Sequence, residues 1–325
     1  MKILVMCPGS FSFGLDSPER GEGRWSQNYA KMLAQAGHTV YAASGGMGNK
    51  VKRDHDVKLI DQDKRYLTKY EPFDLYIDSA WWDGKGCPVK AKKMVALKWS
   101  PENYLHEPLP DNFYIAYPYT THHFNFHRAG FPNGDKSFAL PTMFGNDFAP
   151  PNWQADKVFL PGKMKPHRGQ ERYVDAVGNF LAKHPLEGTS RSLFEEQFGD
   201  KINFERPGSN WVEKMPYDKV LEAMSRCRIS LPIFNPGAII EASFMGLPSV
   251  FWERGGFFNP LGRMLGLSIE EGSDPERFTE VAEILMNDKK RYHEAVYTMQ
   301  DYFSAHTFAG ALKYFNLMCQ TIGLL

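Results

Sequence analysis

The chain has 325 residues, of which 42% are apolar, 23% charged and 14% aromatic, and its formal net charge is zero. That length suits two domains of ordinary size, and the balance of apolar and charged residues is that of a soluble globular protein. Neutrality excludes a strongly basic nucleic-acid binder at the level of the whole chain, and no run of about 18 apolar residues is present to span a membrane.

The four cysteines, Cys7, Cys87, Cys227 and Cys319, are far apart and lack metal or redox spacing. They predict reduced thiols in a cytoplasmic protein. Ile3 to Cys7 is too short for a signal peptide and reads as a first strand. A glycine-bearing loop, Pro8 to Gly23, follows it. Apolar residues at Trp25, Tyr29, Met32 and Leu33 then predict a helix over Arg24 to Ala36, stopped by Gly37. His38 to Ala42 is the next strand. Further short strands are expected at Val57–Ile60, Leu75–Ile77, Met94–Leu97, Tyr114–Ala116 and Phe138–Leu140, and a parallel sheet with helical crossovers accounts for them best.

Pro150-Pro151-Asn152 reads as a linker, after which the pattern begins again. Val158 to Leu160 is a strand, Gly162 to Gly169 a glycine-bounded loop, and Gln170 to Lys183 a helix. Strands are expected at Ile202–Phe204, Ile229–Leu231 and Ser249–Phe251. Helices are expected at Asp218–Arg226, Pro275–Asn287 and Lys289–His306, with a last amphipathic one at Phe308–Ile322. The fold class is α/β, two doubly wound domains in tandem.

The most informative segment is Phe234 to Val250. A buried strand runs into a Pro-Gly turn, and a short helix is expected from near Ala238 to Gly246, with Glu241 in its first turn. A carboxylate there suits the hydroxyls of a ribose, and helix N-terminal amides suit a phosphate beside it. Earlier, Gly162-Lys163-Met164-Lys165-Pro166-His167-Arg168-Gly169 lies between a strand and a helix. Its two cations suit a diphosphate, and Arg168 offers a bidentate grip. A solvated basic loop would have the same composition.

These segments resemble the C-terminal half of GT-B glycosyltransferases, especially the large retaining family that includes sucrose and glycogen synthases. That family reads Glu, seven residues, Glu, then Ala and Gly-x-Pro. The second Glu matches Glu241, and Gly-x-Pro matches Gly246 to Pro248. Ile233 stands where the first Glu would be, with Asn235 as the candidate substitute. Lys163 and Arg168 take the family's Arg and Lys positions. Leu33 to Val40 resembles its Leu-x-x-x-Gly-His-x-Val, and Pro141 to Pro150 its hinge.

The resemblance implies a GT-B enzyme with an N-terminal acceptor domain (1–150), a C-terminal nucleotide-sugar domain (151–306) and a final helix (307–325) packed back on the first. It implies transfer of a sugar, with retention, from a UDP-type nucleotide sugar in an interdomain cleft to an acceptor hydroxyl. Lys163 and Arg168 would hold the diphosphate and stabilise its departure, Glu241 the ribose, and Gly237, Ala238 and Ile239 the phosphate or sugar. Gly23 would lie near the donor phosphate, where the family has a Gly-Gly pair.

Trp211, in Glu205 to Trp211, is a candidate for stacking on the base and equally a packing residue. Asp78, Trp81, Trp82 and Asp83 end a strand and are candidates for contact with the acceptor, with Asp78 the candidate catalytic group. His122, His123, His127 and Arg128 form a basic cluster with no acidic partner nearby. Asp61-Gln62-Asp63 and Asp54-His55-Asp56 read as chance triplets, so no metal is expected. Pro8 to Gly23 does not spell Gly-x-Gly-x-x-Gly before a helix, which excludes a nicotinamide enzyme of the usual kind. The acceptor is expected to be a carbohydrate or small molecule. A phage-type enzyme acting on hydroxymethylated bases in DNA and a non-catalytic sugar-nucleotide-binding protein are the alternatives.

Overall fold

Ile3, Leu4 and Val5 are all inaccessible to solvent, because the strand they form is covered on both faces. A computed structural model of the chain describes residues 1–6, 21–45, 47–78, 89–98, 109–119, 134–161, 178–189, 191–199, 202–212, 217–232, 236–253, 268–270 and 275–325. It divides into two compact units, Met1–Asn146 with Ala305–Leu325, and Asp147–Ser304.

In the first unit the strands are β1 (Lys2–Met6), β2 (Thr39–Ser44), β3 (Lys52–Asp54), β4 (Val57–Asp61), β5 (Phe73–Asp78), β6 (Ala91–Leu97), β7 (Phe113–Tyr117) and β8 (Ser137–Ala139). They form one sheet in the order β3-β4-β2-β1-β5-β6-β7-β8. All pairs are parallel except β3 with β4. That hairpin turns through His55 and Asp56, both with positive φ, as a two-residue turn of matching twist requires.

Helix α1 (Gly21–Gln35) buries Trp25, Tyr29, Met32 and Leu33. The C-terminal helix, Phe308–Thr321, buries Ala311, Phe315, Met318 and Cys319 at the spacing of one helical face. Both pack with Ile3, Val5, Val40, Ala42, Leu75 and Ile77 on one face of the sheet. The alternate residues Leu4, Ala43, Tyr76, Met94 and Tyr117 belong to the core on the other face.

The second unit repeats the plan. Strands β9 (Lys157–Leu160), β10 (Leu186–Thr189), β11 (Asn210–Val212) and β12 (Cys227–Ser230) are ordered β11-β10-β9-β12, all parallel. A bridge from Ser230 to Ser249 leads to β13 (Phe251–Glu253), which pairs in parallel with β14 (Ser268–Glu270). Helices α3 (Arg191–Phe198), α4 (Tyr217–Ser225), α5 (Pro236–Phe244), α6 (Pro275–Asn287) and α7 (Lys289–Tyr302) complete the described residues of this unit, together with a short helical stretch over 178–181.

Two expectations are corrected. Ile202–Phe204 is not a strand but leads into a turn; the strands stand on either side of it, at β10 and β11. Gly21, Glu22 and Gly23 are not loop but the first residues of α1.

Candidate functional site

In each sheet the chain winds outward from a central strand in both directions. In the second unit it runs from β9 to β10 and β11 on one side, and from β12 towards β13 and β14 on the other. The switch point therefore lies between β9 and β12, whose registers pair Val158 with Ile229 and Phe159 with Ser230. The Leu231 amide continues the ladder by donating to the Phe159 carbonyl at 2.9 Å. Adjacent strands lie about 4.8 Å apart, and ligands of open parallel sheets bind outside the carboxyl ends at such a switch. The segment carrying Lys163 and Arg168 follows β9, and the segment carrying Asn235 follows β12. Topology thus starts both from neighbouring strand ends. Lys163, Arg168 and Asn235 themselves lie outside the described residues.

Helix α5 begins at Pro236, the favoured first-turn position for a residue without an N–H. First-turn amides point past the helix end rather than to a carbonyl within it. Gly237, Ala238 and Ile239 are the residues of that turn with an N–H. Glu241 is the sixth residue of the helix and lies in the second turn, not the first as the sequence suggested; its side chain is enclosed, 6% exposed. The earlier start follows from Pro236, which opens the helix two residues ahead of Ala238.

The helix ends in a Schellman arrangement. The Leu247 amide donates to the Ala242 carbonyl and the Gly246 amide to the Ser243 carbonyl, with Gly246 at φ +73°. Gly246 and the linker are tied together: Tyr292 Oη donates to the Gly246 carbonyl at 3.1 Å, and the Ala149 amide to the Phe244 carbonyl at 2.8 Å. Gln300 Nε2 donates to the carbonyls of Ala149 and Ser243. The Gly-x-Pro element thus closes the helix that carries Glu241.

Trp211 lies within β11, edge-on to Phe194 and Phe204, and its ring covers Gly188 of β10. A Cβ on Gly188 would stand 2.4 Å from that ring, so glycine is required there. Trp211 did not follow a strand at Ile202–Phe204 as expected; it packs across the sheet.

Glu187 is 1% exposed and accepts from Lys157 Nζ at 2.9 Å, Arg226 Nε at 3.1 Å and Asn210 Nδ2 at 3.1 Å. Burial alone would raise its pKa, but these donors together hold the carboxyl below its ordinary range. Lys157 and Arg226 stand at the amino ends of β9 and β12, so this network supports the end of the sheet remote from the switch point.

In the first unit the switch point lies between β1 and β5. Asp78 closes β5, in register with Met6 at the end of β1 and with Ala96 of β6. It is 5% exposed and accepts a 2.8 Å hydrogen bond from Tyr76 Oη. Gly23 is buried in the first turn of α1, the helix after β1. Sequence reasoning found Asp78 but not Tyr76, whose signal was present: residues i and i+2 of a strand share a face.

The acidic triplets have local work. Asp61 Oδ2 accepts from the Met47 and Gly48 amides and Oδ1 from the Asp63 amide. Asp63 caps the short helix Lys64–Leu67 and pairs with Arg65 at 2.7 Å. Asp54 and Asp56 belong to the β3–β4 hairpin. Among the described residues, no group of three His, Cys, Asp or Glu side chains is placed to hold a metal ion, and no helix is long and apolar enough to cross a membrane. Trp81, Trp82, Asp83 and the cluster of His122, His123, His127 and Arg128 lie outside the described residues.

No protein-family model matches the chain, and no curated protein matches its sequence. Solved structures do share its architecture over its whole length. Sucrose-phosphate synthase from Thermosynechococcus elongatus superposes with a TM-score of 0.67 at 12% identity, covering 99% of both chains. AviGT4, a glycosyltransferase involved in avilamycin A biosynthesis, gives 0.64 at 14% identity, covering 99% of this chain and 98% of that one. HepE from Anabaena, solved in complex with UDP-glucose, gives 0.60 at 13% identity with both chains covered in full. Two doubly wound parallel units of this order, matched end to end by such structures, make the GT-B fold the fold of this chain.

Proposed function

We propose that the protein is a glycosyltransferase that moves a sugar from a nucleotide-diphosphate sugar to an acceptor hydroxyl. One observation carries the reading: the two segments that resemble a donor site in sequence leave the sheet from the adjacent carboxyl ends of β9 and β12, at the switch point of the second unit. HepE is a structural neighbour solved with UDP-glucose, which makes a UDP-sugar the first donor to test.

In this reading Lys163 and Arg168 hold the diphosphate, and Gly237, Ala238 and Ile239 present first-turn amides to phosphate or sugar. Glu241 accepts from the ribose hydroxyls, Asn235 contacts the donor sugar, and Gly23 approaches the donor phosphate. The bond between the anomeric carbon and the diphosphate oxygen breaks, and its electron pair leaves with the diphosphate. Lys163 and Arg168 stabilise that growing charge, the task a divalent ion performs elsewhere. The acceptor oxygen bonds to the anomeric carbon. Its proton passes to Asp78, the buried carboxylate at the switch point of the first unit. Retention of configuration, a cytoplasmic location and a carbohydrate or small-molecule acceptor are part of the same reading.

Thermal unfolding with millimolar UDP, GDP, ADP and their glucose conjugates tests it. A ligand at about 100 times its dissociation constant adds roughly 2.7 kcal/mol of stability. A raised melting temperature is expected with at least one nucleotide, and none with any of them overturns the donor-site assignment.

A further inference from the structure

Asp78 and Tyr76 are two residues apart on β5, so both side chains stand on the same face of the sheet. Both are buried, Tyr76 completely and Asp78 to 5% exposure, and the Tyr76 hydroxyl donates to Asp78 Oδ2 at 2.8 Å. A carboxylate taken out of water favours the neutral acid unless a donor compensates it. A phenol does so without adding a positive charge, and a hydrogen bond to an ionised acceptor is about twice as strong as one between neutral groups. Tyr76 is itself anchored: it belongs to the apolar core with Leu4, Tyr41, Met94 and Tyr117, which limits the rotamers open to it. The pair therefore has a rigid member inside the core and a charged member at the carboxyl edge, in register with the last residue of β1.

We propose that Tyr76 is a positioning residue for the transfer reaction, its hydroxyl fixing the Asp78 carboxylate, as the anion, to receive the proton of the attacking acceptor hydroxyl. This rests on the glycosyltransferase reading above. The acceptor O–H bond breaks, its oxygen bonds to the anomeric carbon, the diphosphate leaves with the electron pair of the glycosidic bond, and the proton stays on Asp78 Oδ until solvent removes it. Tyr76 keeps its own proton throughout.

The test uses the full chain with UDP-glucose as donor and water as acceptor, reading UDP release against pH for the wild type, Tyr76→Phe, Asp78→Asn and the double variant. Tyr76→Phe is expected to move the acidic limb of the rate profile to higher pH, with a loss of at least about tenfold near pH 6 that narrows towards pH 9. Asp78→Asn is expected to lose the acidic limb and at least about 100-fold in rate. The double variant should be no slower than Asp78→Asn alone.

An unmoved limb in Tyr76→Phe, with Asp78→Asn impaired, overturns the positioning role and leaves the glycosyltransferase reading standing. Wild-type rates in Asp78→Asn overturn the proton-acceptor role and the inference with it. No UDP release by the wild type from UDP-, GDP- or ADP-glucose overturns the functional reading itself. A carbon-13 NMR titration of the Asp78 carboxyl in the wild type and in Tyr76→Phe gives the same answer without turnover: the midpoint must rise in the variant, and an unchanged midpoint overturns the inference.

Discussion

A Cβ placed on Gly246 would stand 2.2 Å from the carbonyl oxygen of Pro150. The obstacle is backbone, not a side chain that can swing away, and the residue also holds φ at +73°. Gly246→Ala is therefore expected to lose about 2–4 kcal/mol, combining left-handed strain with a displaced linker. Urea unfolding would show it as a lower midpoint at unchanged slope. Tyr292→Phe, which removes one hydrogen bond to the Gly246 carbonyl, should cost only about 1–2 kcal/mol. Equal losses in the two variants would mean that the close approach is not what restricts this position.

His306 is expected to make stability fall with acid. Its side chain is 4% exposed, Nδ1–H donates to the Thr142 carbonyl at 2.9 Å, and burial pushes its pKa down to about 4 from 6.5. The folded state thus disfavours the proton. Above pH 6.5 the histidine is neutral in both states and its contribution is complete. As the pH falls below 6.5 the unfolded chain takes up the proton first, and stability drains away until about pH 4. Between pH 7.5 and pH 5 this amounts to about 2 kcal/mol. Glu187 acts in the same direction, but only from its unfolded value of 4.5 downwards, so that window isolates the histidine. Urea midpoints at the two pH values should differ in the wild type and converge in His306→Asn, which keeps an N–H for Thr142. A wild-type midpoint flat across that window would show that His306 titrates normally.

The strands that sequence located correctly are those whose reason is local. Ile3 to Val5, Leu75 to Ile77 and Val158 to Leu160 are apolar runs because a central parallel strand is covered on both faces. Strand β10 reads Leu-Glu-Gly-Thr and carries no such signal. Its glutamate is tolerated because Lys157, Arg226 and Asn210 reach it from 30, 39 and 23 residues away. Its glycine is set by the ring of Trp211. Ile202 is buried and apolar yet belongs to no strand. The donor segments were legible because phosphate and ribose recognition imposes residue types over a short span. Tyr76 escaped notice because a buried tyrosine in a strand looks like packing until its hydroxyl is seen to meet a carboxylate.

Arg168→Ala should lower turnover more than it weakens binding of free nucleotide. Negative charge grows on the leaving diphosphate, so a cation there contributes most at the transition state. The expected loss is about 2–4 kcal/mol in kcat/KM, measured beside the dissociation constant for UDP. Activity should survive EDTA, since Lys163 and Arg168 already supply the compensating charge. Equal losses in turnover and in nucleotide affinity would assign Arg168 to ground-state binding, and a metal requirement restored by magnesium or manganese would reopen the question of an acidic site.

The acceptor class is decided by salt. A DNA acceptor needs a basic face on the first unit, and the residues available include Arg20, Arg24, Lys90, Lys92, Lys93, His122, His123 and Arg128. Two of them are already engaged: Lys92 Nζ lies 2.7 Å from Asp74 Oδ1, and Lys93 Nζ donates to Tyr114 Oη at 3.2 Å. Recruiting Lys92 for a phosphate would mean giving up a protein partner for a nucleic-acid one, and the chain's net charge of zero supplies no long-range attraction to compensate. A carbohydrate or other small acceptor is therefore expected. Its apparent affinity should be nearly independent of salt between 50 and 200 mM, whereas binding to duplex DNA weakens with a log–log slope of roughly −0.9 per phosphate contacted. Acceptor saturation curves at the two salt concentrations, run beside a gel-shift series with hydroxymethylated duplex, separate the cases. Salt-sensitive duplex binding accompanied by sugar transfer to the modified base would make DNA the acceptor and require Lys92 to exchange Asp74 for a phosphate.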